Sequence, residues 1–339
     1  MRRLLGKLLG GGPARVTPDS LTDEGEMPAF RGISDWINTD PLTRNDLDGK
    51  VVLVDFWTLS CVNCTRTLPH LKSWHDTYKN SGLRIVGIHT PEFAFERDAV
   101  NVRATMERHG IEYAVALDND HAMWKAYRNH YWPAHYFVDR KGRIRYHHFG
   151  EGGYGHSESV LRTLLSEDGT ELPAVIESEE GADVDLSRVG TPETYLGYER
   201  LEYLGSPEPV KMDEVSRYST VMKPAGNVFY LEGDWEISRE WAAPRSENAS
   251  LLFKVRASRV NLVMDTNQRM KRVQVELDGG PLRDREAGVD TTNVDKMSIA
   301  EINEGRMYEL VDTRGKYSER ELRLTFIDPG TKLYAFTFG

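Results

Sequence analysis

A chain of 339 residues, 39% hydrophobic and 28% charged, is long enough for two domains with separate cores, and its make-up points to neither global disorder nor a membrane span. The net charge of −10 argues against a sequence-independent nucleic-acid binder, which needs a basic face to displace phosphate counterions. Only two cysteines occur, Cys61 and Cys64, in a single motif, so no structural disulfide is available to indicate the compartment.

In chain order, residues 1–27 read as a flexible tail. Arg2, Arg3 and two Leu pairs suggest a secretory start, but Gly6 and Lys7 interrupt the apolar stretch that a signal peptide requires. The absence of a signal or span favours a cytoplasmic location. Residues 28–167 read as an α/β domain. Val51–Val54 is apolar and β-branched-rich, as in a central strand covered on both faces. Leu68, Leu71, Trp74 and Tyr78 then recur at helical spacing within Arg66–Tyr78. The Cys-x-x-C therefore falls between a strand end and a helix start, where free backbone N–H groups and the helix dipole lower a thiol's pKa. That makes Cys61 the expected nucleophile. Cys64, one turn on, is placed to attack a mixed disulfide on Cys61 and release the reduced partner. Half of a zinc site is the alternative, but no further cysteine exists to complete it.

Further strands are predicted at Leu83–His89, Tyr113–Leu117, Ala134–Val138 and Ile144–His148, the last two joined by a turn at 139–142. Helices are predicted from Glu96 to His109, from a cap at Asp118–Asp120 through Tyr127, and from Ser157 to Ser166. Trp57 reads as a core aromatic below the cysteines, with substrate contact as its second role. His121, His130, His135, His147, His148 and His156 show no short metal-ligand spacing, and no metal is expected.

Residues 168–215 read as an acidic linker whose aromatic stretch Thr191–Tyr198 docks on a domain; its acidic part, Glu177–Asp185, holds five acids and no base. From 216 to 339 the pattern turns to period two, with strands at Leu252–Val255, Val260–Met264, Val273–Leu277, Leu322–Phe326 and Leu333–Phe338. A β-sandwich of jelly-roll type is predicted.

The segments DFWTLSCVNCTRTLPHLK, HTPEFAFE, VALDND, YWPAHYFVD and YAFTFG resemble, in order, the soluble C-terminal region of the DipZ cytochrome c biogenesis family, with its thioredoxin-like domain. The resemblance implies that Pro133 follows a cis bond and faces the cysteines, with the backbone of Trp132 offering edge hydrogen bonds to an extended substrate. It implies that Asp55 is a buried carboxylate behind the site, raised in pKa and able to relay a proton for Cys64, and that Glu92 is a second candidate acid. It also implies a carbohydrate-binding-like C-terminal domain, where Tyr230, Trp235 and Trp241 are candidate sugar platforms. An extracytoplasmic location is the alternative it leaves open. With no span of its own, the chain would draw electrons from an external donor, either a thioredoxin reductase system or a membrane thiol transporter.

The sequence thus predicts a thiol–disulfide oxidoreductase acting on protein disulfides and dithiols, with the Cys61–Cys64 pair itself as the redox group and no other cofactor. Thr58-Leu59-Ser60-Cys61 resembles the Thr-x-x-Cys of peroxiredoxins and leaves a thiol peroxidase as the alternative, although Val54, four residues before Thr58, stands where that family has proline. A glycan- or protein-binding adapter with a redox sensor is the third reading.

Overall fold

The computed structural model describes residues 16–175, 186–267 and 269–339. The predicted tail up to residue 15 and the acidic run 177–185 lie outside the described residues. Two compact units emerge, one from the described parts of 1–58, 63–90 and 106–178, the other from those of 59–62, 91–105 and 179–339.

The first unit is built on a seven-stranded sheet. Its elements run β1 (Gly25–Glu26), β2 (Asp35–Ile37), β3 (Val51–Trp57), α1 (Val62–Tyr78), β4 (Leu83–His89), β5 (Ala114–Leu117), α3 (Ala122–Ala126), β6 (Ala134–Val138), β7 (Arg143–Phe149) and α4 (Tyr154–Leu165); α2 (Ala99–His109), between β4 and β5 in the chain, is divided, its residues up to 105 grouping with the second unit. The strand order is β1-β7-β6-β3-β4-β5-β2. β3 and β5 lie parallel to β4, and the remaining pairs are antiparallel. All seven residues of β3 are buried, because this strand is covered on both faces. Val52, Val54 and Phe56 pack with Met123, Tyr127, Tyr136 and Val138. The alternate residues Leu53, Asp55 and Trp57 project to the opposite face.

Several boundaries differ from the sequence reading. Residues 25–26, within the stretch expected as tail, pair with β7. The three-residue edge strand β2 is too short to leave a period. The helix expected from Glu96 is a 3₁₀ turn over Ala94–Arg97 followed by α2, and α4 begins at Tyr154, three residues before Ser157. Asp118 does cap α3. Its buried carboxylate accepts from Met123 N and Trp124 N, both at 2.9 Å, and from Thr90 Oγ1 at 3.1 Å.

The second unit is a β-sandwich. After β8 (Thr194–Tyr195) and β9 (Val215–Tyr218) come β10 (Phe229–Ile237), β11 (Ala242–Pro244), β12 (Ala249–Ala257), β13 (Arg259–Asp265), β14 (Lys271–Leu277), β15 (Gly280–Pro281), β16 (Thr291–Val294), β17 (Met297–Ile302), β18 (Arg306–Asp312), β19 (Ser318–Phe326) and β20 (Lys332–Phe338). β10 pairs with β12 over its first half and with β9 and β11 over its second, so it passes from one layer to the other. Between the layers lies a core that includes Phe229, Trp235, Phe253, Phe326 and Phe336. Strand alternation supplies it: in β14 Val273, Val275 and Leu277 are buried while the residues between them are not. The expected docking stretch takes part too, with Thr194 and Tyr195 pairing with Phe336 and Ala335.

Candidate active site

β3 ends at Trp57 and α1 begins at Val62, so Cys61 immediately precedes the helix and Cys64 lies in its first turn. Cys64 is buried at 2% exposure, whereas Cys61 is half-buried. An accessible first cysteine and a sheltered second one suit a nucleophile and a resolving thiol. The Trp132–Pro133 bond is cis, and Pro133 leads directly into β6 beside β3. Trp132 packs its ring on Trp124, with centroids 4.2 Å apart. Trp57 is a core residue at 1% exposure, edge-on to His89 at 5.0 Å, which leaves it no surface for a substrate.

Asp55 is buried at 1% exposure, as the resemblance implied. Its cross-strand neighbour is His135, whose Nε2 lies 3.2 Å from Asp55 Oδ1. The pair is close but off line: neither carboxylate oxygen nor Nε2 gains a well-formed hydrogen bond. Burial pushes the Tyr113 phenol well above its ordinary pKa, and the charges of Asp55 and Cys64 push it further, which puts Tyr113 within electrostatic reach of both. Burial also lowers His89 to about 3, so it stays neutral.

Glu92 is committed elsewhere. Its Oε1 lies 2.7 Å from Arg200 Nη1 and accepts from the Tyr195 hydroxyl at 3.1 Å, within the second unit. Arg200 in turn sits over the Tyr195 ring. The acid beside the motif is Glu96, fully buried, which the sequence reading missed. Its Oε1 accepts from Ser60 N at 3.2 Å and from Ser60 Oγ at 2.6 Å, and its Oε2 accepts from Phe93 N at 2.9 Å and from Glu92 N. Ser60 is the residue before Cys61, so a charged acceptor fixes the backbone entering the nucleophile. The signal was the spacing Phe93-x-x-Glu96 at the head of a helical turn, where a carboxylate reaches back to the first N–H groups.

Of the three aromatics proposed as sugar platforms, Trp235 is fully buried with Nε1 donating to Glu232 O, and Tyr230 is buried at 5% exposure. Trp241 is half-buried between Arg245 and Lys332. Two of the three therefore serve the sandwich interior, and the domain has no row of exposed rings among them. No helix among the described residues is long and apolar enough to cross a membrane.

A strand–cysteine pair–helix unit on this sheet order defines a thioredoxin-like centre. The AhpC/TSA family model matches residues 26–147, and that of the thioredoxin-like C-terminal domain matches residues 191–339. DipZ of Mycobacterium tuberculosis is 39% identical over 246 residues, which cover 71% of this chain and 35% of that protein. The chain thus spans about a third of the length of that relative. The thiol–disulfide oxidoreductase YkuV of Bacillus subtilis is 32% identical over 142 residues, covering 42% of this chain and 95% of YkuV. A solution structure of a thioredoxin-like protein in its oxidised form aligns at 31% identity and a TM-score of 0.39, over 42% of this chain and 95% of that one. The chain belongs to the family of thioredoxin-like thiol–disulfide oxidoreductases that includes YkuV.

Proposed function

We propose that the chain exchanges disulfides with protein partners through Cys61 and Cys64. The Cys61 thiolate attacks a partner disulfide, forming a mixed disulfide and releasing one partner thiolate. Cys64, once deprotonated, attacks the Cys61 sulfur, closing the Cys61–Cys64 disulfide and releasing the second partner thiol. The partner gains two electrons and the pair loses two, which an external dithiol donor must restore. The observation that carries this reading is the asymmetry of the pair at the α1 start, an accessible Cys61 before the helix and a buried Cys64 within its first turn.

A thiol peroxidase is the second reading, favoured by the AhpC/TSA match over residues 26–147. There Cys61 would take one oxygen from a peroxide as sulfenic acid, and Cys64 would condense with it to a disulfide and water. Trapping with Cys64→Ser separates the two. Mixed disulfides with proteins support exchange. Sulfenic acid formed on Cys61 at low peroxide, with no protein adducts, replaces exchange with peroxidase chemistry.

A further inference from the structure

Three titratable side chains stand in one row across the first unit's sheet. Asp55 on the central strand β3 is directly opposite His135 on β6, and His135 is directly opposite His148 on β7. Exposure rises along the row, from 1% at Asp55 and 2% at His135 to a half-buried His148. Asp55 Oδ1 and His135 Nε2 are 3.2 Å apart, and the rings of His135 and His148 lie near-parallel, 14° between planes, with centroids 6.2 Å apart. Both Asp55 oxygens and the Nε2 atoms of His135 and His148 are buried without a hydrogen-bond partner. A pair kept only to neutralise Asp55 would be aligned, and it would need no second histidine. Orphan polar atoms in a connected row are instead what transient protonation and bridging water satisfy.

We propose that Asp55, His135 and His148 form a proton route that carries the Cys64 thiol proton to solvent when Cys64 resolves the mixed disulfide. The inference rests on exchange at Cys61 and Cys64 as set out above. The Cys64 S–H bond breaks as its proton passes to the Asp55 carboxylate, the sulfur's electron pair forms the bond to Cys61, and the Cys61–partner S–S bond breaks with its electron pair leaving on the partner thiolate. The proton then moves from Asp55 to the close Nε2 of His135, and through one bridging water to His148. His148 sits at the open end of the row, because β1 pairs with β7 only at residues 143 and 144. The route runs in reverse when the pair is reduced.

The groups that face this row set its polarity. Tyr113, in the stretch before β5, lies within electrostatic reach of both Asp55 and Cys64, and burial keeps the tyrosine neutral. His148 is hydrogen-bonded by the backbone of Glu151 and Gly152 and feels the charge of His156 on α4; its burial and the neighbouring His135 lower its pKa, so it passes a proton on and does not retain it. The Arg66–Glu151 ion pair, at 3.0 Å, lies beside the same exit.

The test is a two-phase reaction of the reduced full chain with 5,5′-dithiobis(2-nitrobenzoate). Attack by Cys61 releases the first thionitrobenzoate, and resolution by Cys64 releases the second. Loss of both phases in the parent would sink the exchange reading itself. With the parent active, His135→Gln is expected to slow the second phase about ten-fold or more at pH 7, with the first phase slowed far less. His148→Gln should slow the second phase in a way that added imidazole restores, and His135→Gln should add nothing in an Asp55→Asn background. A second phase at the parental rate in both histidine variants across pH 5–9 overturns the proposal. So does equal slowing of both phases with no imidazole rescue, which would mark the histidines as supports of the fold.

Discussion

Replacing Glu96 with glutamine probes the contact closest to the nucleophile. The carboxylate accepts four hydrogen bonds, two from Ser60 and two from the backbone N–H groups of Glu92 and Phe93. A glutamine keeps one oxygen. Turned toward Glu92 and Phe93 it would preserve both backbone bonds, leaving its NH₂ against Ser60, whose hydroxyl can rotate to accept. Only the Ser60 N–H then loses its acceptor, and no rotation can help a backbone donor. One buried donor left unsatisfied costs about 2 kcal/mol, and here the loss falls on the residue before Cys61. The alanine variant strands all four donors and should cost at least twice as much. Urea unfolding of the parent, Glu96→Gln, Ser60→Ala and the double variant gives a cycle whose coupling should exceed about 1 kcal/mol. Turnover against a protein disulfide should fall in both single variants, with kcat falling more than KM rises, since the substrate touches neither side chain. Additivity within about 0.5 kcal/mol, together with unchanged turnover, would refute the role given to Glu96.

Other outcomes follow from single features. His89, held near 3 against an ordinary 6.5, stays neutral in the folded chain while the unfolded chain takes up a proton below 6.5; its contribution is complete above that pH and shrinks as pH falls, by about 2 kcal/mol at pH 5. Urea midpoints of His89→Gln should therefore fall less between pH 7.5 and pH 5 than the parent's, and parallel pH profiles would contradict the assignment. Asp118→Ala strips the α3 N–H groups and Thr90 of their acceptor and should cost about 2–3 kcal/mol in urea, with protection of the Met123 and Trp124 amides lost first in hydrogen exchange. Phe93→Ala empties a buried cluster and should cost about 3–5 kcal/mol by the same assay.

The strand–cysteine–helix unit was legible because two periods meet there, a continuous apolar run over Val51–Val54 and a helical stripe from Leu68 to Tyr78. The acid beside it was not. HTPEFAFE contains two glutamates, and only the turn over Ala94–Arg97 decides that Glu96 points back to Ser60 while Glu92 goes to Arg200. The row of histidines was hidden by register. Val138 opposes Ile144, and continuing that pairing without interruption would set His135 opposite His147; the irregularity between Phe137 and Val138 shifts the partner by one, to His148. In the sandwich, alternation located the strands but not which face each aromatic takes at the crossing strand β10, so Trp235 stood as a candidate platform beside the more common core position, and it fills the core beside Phe326.

The second unit gathers three separate stretches of chain, and this constrains how the protein can be cut. Phe93 packs with Val263, Tyr334 and Ala335, and Phe95 borders the same cluster. A protease acting in the acidic stretch, or a gene truncated there, would release an N-terminal piece carrying Phe93 and Phe95 stripped of their apolar cover. Such a piece would present a sticky face to its own copies, so shortened forms should precipitate or recruit chaperones. The molecule is therefore expected to be inherited, expressed and degraded as one piece.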